Sequence, residues 1–315
     1  ALLGDAGEER VLSFWAERWT SRGPFEFRIE GERAGKWDEI YQGDKVIRVG
    51  GFLTEVEVVL PKGMTRLKLK VTSPEKTGLM LDDLLVEKSQ SMTVEKVTTV
   101  QPVIPVLIRK KDNPVVGLQV VTKGRVDVQK VTALKFDLKG TSDLGSVKAV
   151  RVIVGGELLK AGMGEVFGEA KRIGKDWICE GEAVLTRGEN FFWVSVELKE
   201  DASLAGRVDA RVLGVRFENG EVLTPAVKSP EGSQRIGYAL RLHGDDGSKG
   251  FRIPGLATTN KGTLIGVYDV RYRGGGDLPG DIDVGMNRSA DGGQTWEKMK
   301  VIMDMGDDPK WRYDG

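Results

Sequence analysis

Ser289-Ala290-Asp291-Gly292-Gly293-Gln294-Thr295-Trp296 decides how the chain is read, together with Phe251-Arg252-Ile253-Pro254, whose arginine stands 37 positions before Ser289. In the eight-residue run a serine, an aspartate and a threonine surround two adjacent glycines. Short polar side chains of this kind bond the backbone of a tight turn, and Trp296 can pack beneath it. The run therefore predicts a turn between two strands, with Asp291 structural rather than catalytic. In the earlier motif Pro254 restricts Ile253 to extended backbone, which puts Arg252 at the start of a strand. A guanidinium there can receive a carboxylate through a fork of two N–H bonds. Thr263 to Val267 reads as the next strand, followed by Tyr268-Asp269-Val270-Arg271-Tyr272. Arg273-Gly274-Gly275-Gly276-Asp277-Leu278-Pro279-Gly280-Asp281 is then a loop by its glycines and proline. Loops on a rigid β scaffold are where sites are placed. Taken singly, Arg271, Asp277, Asp281 and Asp283 also read as solvated charges at a strand end or turn.

Outward from these motifs, 315 residues suit two or three domains. Lys+Arg and Asp+Glu balance at 47 each, which argues against a nucleic-acid partner held by bulk charge. No run of 18 apolar residues exists to span a membrane. Ala1-Leu2-Leu3-Gly4-Asp5 is not a secretory signal. Cys179 is the single cysteine, so no disulfide forms within the chain. His243 is the single histidine, which excludes a multi-His metal site; it reads as an ordinary surface or core histidine. No metal and no cofactor are expected.

Residues 1–90 carry strand patterns at Val11–Ala16, Phe25–Ile29, Glu55–Leu60, Arg66–Val71 and Leu79–Val86, with a turn at Pro61-Lys62-Gly63. Short strands with Gly and Pro turns predict a β-sandwich. Trp15, Trp19 and Trp37 read either as platforms for sugar stacking or as core aromatics, the commoner fate. Residues 91–100 read as a connector or an added strand. Residues 101–237 form a second β region, with strand candidates at Pro102–Ile108, Val115–Val121, Val131–Leu138, Val147–Val154, Phe191–Leu198 and Val208–Val215. Ser229-Pro230-Glu231-Gly232-Ser233 has linker composition, and residues 238–315 hold the motifs. No 15-residue stretch shows a helical period, so the fold class is all-β.

The eight-residue run fits S-x-D-x-G-x-T-W, the Asp-box of β-propeller proteins, and with F-R-I-P and the Asp277 loop it resembles the opening of the propeller of bacterial exo-α-sialidases (neuraminidases) of glycoside hydrolase family 33. Trp37 and the pair Asp82-Asp83 resemble the second half of a carbohydrate-binding jelly-roll in residues 1–90, and residues 101–237 resemble the small β-sandwich that precedes some sialidase propellers, with Arg187 to Ser195 as its clearest stretch. The resemblance implies a six-bladed Asp-box propeller of which residues 238–315 are the first blade. It implies that Arg252 is the first arginine of a triad that binds the carboxylate of sialic acid. Arg271 is then the arginine of the next strand lining the sugar site, and Asp277, twelve positions before Ser289, the acid/base, with Asp281 and Asp283 as competing candidates. Ser289, Asp291, Gly293, Thr295 and Trp296 are the structural Asp-box.

The same resemblance implies release of terminal sialic acid from glycans with retention, by a tyrosine nucleophile. A carboxylate nucleophile would be repelled by the substrate's own carboxylate; a phenol activated by a glutamate is not. The glutamate, tyrosine and two further arginines belong to later blades, and Tyr313 lies too near the first blade to be the nucleophile. On this reading the chain by itself is incomplete and inactive, and the rest of the propeller belongs to the same or a second polypeptide. Sialylated glycans are the expected partners and a secreted, periplasmic or cell-surface location follows. A non-catalytic sialoglycan-binding module is the alternative.

Overall fold

The structure, a computed structural model, describes residues 7–51, 54–102, 104–156, 160–230, 232–277 and 280–304. Tyr313, and Leu278 and Pro279 of the Asp277 loop, lie outside the described residues. The chain divides into two compact units, Ala1–Thr93 with Lys123–Val128, and Val94–Thr122 with Gln129–Gly315.

In the first unit six strands form two antiparallel sheets. They are β1 (Arg10–Arg18), β2 (Glu26–Arg33), β3 (Lys36–Gln42), β4 (Thr54–Leu60), β5 (Met64–Thr72) and β6 (Leu79–Lys88), in the orders β4-β1-β6 and β3-β2-β5. Alternation decides which face is buried. Leu12, Phe14 and Ala16 of β1 and Phe27 and Ile29 of β2 enter one core, where Phe14 and Phe27 meet edge to face at 6.0 Å. Trp15, between buried Phe14 and Ala16, points the other way. Trp15, Trp19 and Trp37 are 37%, 58% and 38% exposed, so core packing does not account for them. Trp37 lies under the Lys68 ammonium at 4.2 Å. It belongs to β3, where Asp38 and Glu39 in the middle break the strand signal in the sequence.

The second unit adds β7 (Thr93–Val100), β8 (Val106–Ile108), β9 (Asn113–Lys123), β10 (Lys130–Asp137), β11 (Val147–Val154), β12 (Glu165–Ile173), β13 (Asp176–Val184), β14 (Gly188–Leu198), β15 (Arg207–Val208), β16 (Arg211–Phe217), β17 (Val222–Leu223) and β18 (Gln234–Tyr238). A nine-stranded sheet runs β17-β16-β10-β13-β12-β11-β14-β9-β7, and β15-β18-β8 form a separate small sheet in that order. The stretch 91–100 thus supplies an edge strand. β9 and β14 are buried on both faces. Phe191 and Trp193 share one face of β14, stacked at 5.9 Å, while Phe192 on the other meets Phe167.

Three stretches differ from expectation. Pro102–Ile108 pairs only over β8, since prolines cannot donate to a ladder. Val208–Val215 is broken into β15 and β16 where Asp209 Oδ1 accepts the Ala210 N–H at 2.8 Å. β12 has no sustained apolar face and is largely exposed, whereas β13 alternates one through Trp177, Cys179 and Ala183, with Cys179 buried; both were passed over in the sequence.

The chain leaves β18 and enters a four-stranded antiparallel meander of β19 (Gly250–Thr258), β20 (Leu264–Arg271), β21 (Ile282–Ser289) and β22 (Lys300–Met303), in that order. This is the size and connectivity of one propeller blade. Among the described residues there is no α-helix.

Candidate active site

The β21–β22 turn is built by side chains. Ser289 Oγ accepts the Gly293 N–H at 2.8 Å and donates to Asp291 Oδ1 at 2.8 Å. Asp291 in turn accepts the Thr295 N–H at 3.0 Å and the Thr295 hydroxyl at 2.6 Å. Gly292 and Gly293 have φ of 74° and 92°, a region that glycine enters without strain. Trp296 donates its Nε1–H to Gly293 O at 2.9 Å, and its ring faces Gly266 of β20, where a Cβ would stand 3.7 Å from it. Hydrogen bonds from the threonine and the serine hold the Asp291 carboxyl down at about 2. Asp291 is therefore committed to the turn, which sets the register of β21 against β22.

Arg252 does not start its strand. It lies inside β19, directly opposite Asp269 of β20, and the ladder slips between Arg252 and Gly255. Ile253 has φ of 51° rather than the extended backbone expected before a proline. The bulge is the cause: Pro254 offers no N–H, two residues must be absorbed, and Ile253 takes up the turn. A left-handed conformation at a β-branched residue is strained, and bulges re-aim neighbouring side chains. Phe251 is held on the preceding side. Its ring meets Tyr268 edge to face at 5.4 Å, and the Arg241 guanidinium covers it at 4.6 Å.

Arg271 ends β20 with its side chain 2% exposed. Nη2 bonds Asp269 Oδ2 at 2.8 Å, and Nη1 bonds the carbonyls of Gly275 at 3.0 Å and Gly276 at 2.5 Å. The glycine run thus folds back over the arginine. It brings Asp277 Oδ1 to 2.9 Å from Arg271 Nη1 and 3.1 Å from Arg252 Nη1, while Arg252 Nη1 also donates to Gly275 O at 3.1 Å. Two guanidiniums converge on one carboxylate oxygen. The bond from Arg271, then the charges of Arg252 and Arg271, hold the Asp277 carboxyl below the ordinary range.

The other two aspartates have different surroundings. Asp281 pairs with Arg273 at 3.5 Å. Asp283 is buried in β21 against Tyr272, whose phenol burial and the bond to Asp283 push up to about 12. Of the three, Asp277 is the one bonded to both Arg252 and Arg271. His243 is exposed and takes no part in these contacts.

Sequence reasoning passed over Asp269, Gly275 and Arg241. Asp269 was within reach, since residues two apart in a strand share a face. The Gly275 carbonyl carries no side-chain signal, and Arg241 precedes the motif and reaches Phe251 only through the fold. Two cavities of about 390 and 550 Å³ lie elsewhere, lined by residues such as Pro102, Arg207 and Gln234, and Val154, Lys160 and Phe191. The arginine pair occupies an open sheet face instead, and its chemistry, not enclosure, marks it.

Comparison with known proteins points to one group of enzymes. Residues 94–221 match the N-terminal domain of BNR-repeat neuraminidase. A sialidase of Bacteroides fragilis is 33% identical over 227 residues, 65% of this chain and 42% of that protein. A sialidase of Paraclostridium sordellii is 44% identical over 52 residues, 16% of this chain and 13% of that protein. The solved structure of a Hadza microbial sialidase superposes with a TM-score of 0.54 at 32% identity, covering 65% of this chain and 44% of that one. The chain is thus similar to bacterial sialidases, and spans less than half the length of the Bacteroides relative and of that solved structure.

Proposed function

Taking this likeness to bacterial sialidases as the premise, we propose that the chain carries the N-terminal β domains and first propeller blade of an exo-α-sialidase, which releases terminal sialic acid from sialylated glycans outside the cytoplasm. The observation that carries the reading is the convergence of Arg252 and Arg271 on a single carboxylate oxygen at 3.1 and 2.9 Å. A seat that holds one carboxylate between two guanidiniums can hold another, and the anomeric carboxylate distinguishes sialic acids from neutral sugars. Arg252 binds that carboxylate, Arg271 lines the sugar, and Asp277 gives its proton to the leaving oxygen. Retention follows from a tyrosine nucleophile, supplied with its glutamate by further blades of a six-bladed propeller.

Hydrolysis of a sialoside by the whole protein tests these roles. Asp277→Ala lowers kcat by about 10²–10⁴-fold, the usual weight of a general acid. Arg252→Ala lowers kcat/KM by about 10- to 100-fold, as expected for a lost charge-assisted bond. Turnover that survives Asp277→Ala intact sinks the acid assignment. Unchanged KM and kcat in Arg252→Ala sink the carboxylate assignment.

A further inference from the structure

We propose that in the ligand-free protein Asp277 fills the anion seat of its own active site, and that the substrate's carboxylate displaces it, so that binding itself prepares the acid for proton donation. This rests on the functional reading of the same site. The geometry offers one position between the guanidiniums, and Asp277 Oδ1 stands in it. A second carboxylate entering there meets a like charge and must replace the first.

Which partner yields is decided by how each is held. The Arg271 side chain is 2% exposed and tied to Asp269 and two carbonyls. Asp277 is 74% exposed and follows Gly274, Gly275 and Gly276, at each of which a Cβ would meet nothing within 4 Å. What holds it are its two guanidinium contacts and the bonds from the same arginines to the Gly275 and Gly276 carbonyls. The charged groups facing it are Arg252 on β19 and Arg271 on β20, with Asp269 on the far side of Arg271; Arg273 on the loop is engaged by Asp281.

While seated, Asp277 is held ionised by its two cations. Once displaced it loses them and gains a neighbouring carboxylate, and both changes favour the protonated form. The folded-state affinity for a proton is therefore higher in the complex than in the free protein. Binding takes up a proton at any pH between the depressed free value and the raised bound one.

Calorimetric titration of the protein with sialic acid, at pH about 5, above the ordinary aspartate value, in buffers of different ionisation heat measures this uptake. Up to one proton is taken up by the unaltered protein, and none by Asp277→Asn. That variant binds sialic acid about two- to fivefold tighter, the scale of an exposed ion pair removed from competition, and binds the uncharged methyl ester no better than before. Binding without proton uptake, or weaker binding by Asp277→Asn, overturns the displacement while leaving the functional reading in place.

An NMR titration of the Asp277 carboxyl in the free protein gives an independent arm. Arg252→Gln raises its titration midpoint; an unmoved midpoint overturns the seating. If the midpoint moves but neither protein binds sialic acid, the functional reading fails and the displacement with it.

Discussion

Asp277 and Asp291 are both exposed aspartates held below the ordinary range, by different means. Guanidinium charge lowers Asp277, whereas hydroxyl and amide bonds lower Asp291. The first is screened by salt and the second is not. For Asp291 the folded value of about 2 lies below the unfolded value of about 3.9. The stabilisation it gives is complete above the unfolded value and is lost as pH falls through the folded one. Asp291→Asn accordingly lowers Tm at neutral pH, and the gap from the unaltered protein closes between pH about 4 and about 2. Thermal melts across that range check this. A gap that stays constant down to the lowest pH would show that the ionised carboxylate does not hold the turn.

At the scale of elements, packing of β9 against β14 turns on one glycine. Gly117 lies directly opposite Trp193, whose indole is fully buried and donates to Gly156 O at 3.1 Å. A Cβ at Gly117 would stand 2.5 Å from the indole ring. The ring cannot move aside without losing its bond and its stacking on Phe191. Gly117→Ala is expected to destabilise the second unit by about 1–3 kcal/mol, the range for overpacking, as read by urea unfolding. A neutral result would mean that the indole has room the structure does not show. The β19 bulge works in the same local way. It has no mate in β20, so it alters the aim of Arg252 without disturbing the pairing of Gly255 to Thr258.

On the scale of the whole second unit, two side chains tie the blade to the sheet that precedes it. Arg109 donates to Ala239 O at 2.8 Å and Leu240 O at 2.9 Å and pairs with Asp245 at 2.8 Å. Gln294, a variable position of the Asp-box, donates to Ala202 O at 3.0 Å and accepts the Leu204 N–H at 3.5 Å. The turn that sets the blade's register therefore also docks it. Gln294→Ala should cost about 1 kcal/mol, one net hydrogen bond. Arg109→Met should cost more, about 2 kcal/mol, because it strands two carbonyls and a carboxylate. Denaturant midpoints measure both. Equal midpoints for Gln294→Ala and the unaltered protein would place the docking elsewhere.

The sequence by itself determined the all-β class, most of the strands and the turn at Ser289–Trp296. Each depends on neighbours in the chain: period-two burial, Gly and Pro at turns, and polar side chains bonding their own backbone. It also brought Arg252, Arg271 and Asp277 forward as candidates, through motifs a few residues long. Strand β12 stayed hidden because its stability comes from pairing with other strands rather than from an apolar face of its own. Only the tertiary structure decided the left-handed turn at Ile253, since a proline's local preference for extended backbone on its neighbour yields to the register of an adjacent strand. Only it brought Asp277 between two arginines from separate strands, 25 and six positions away in the chain. Charges that far apart in sequence meet when a sheet pairs β19 with β20 and a glycine run folds back over them, and that meeting is long-range chemistry that no short motif encodes.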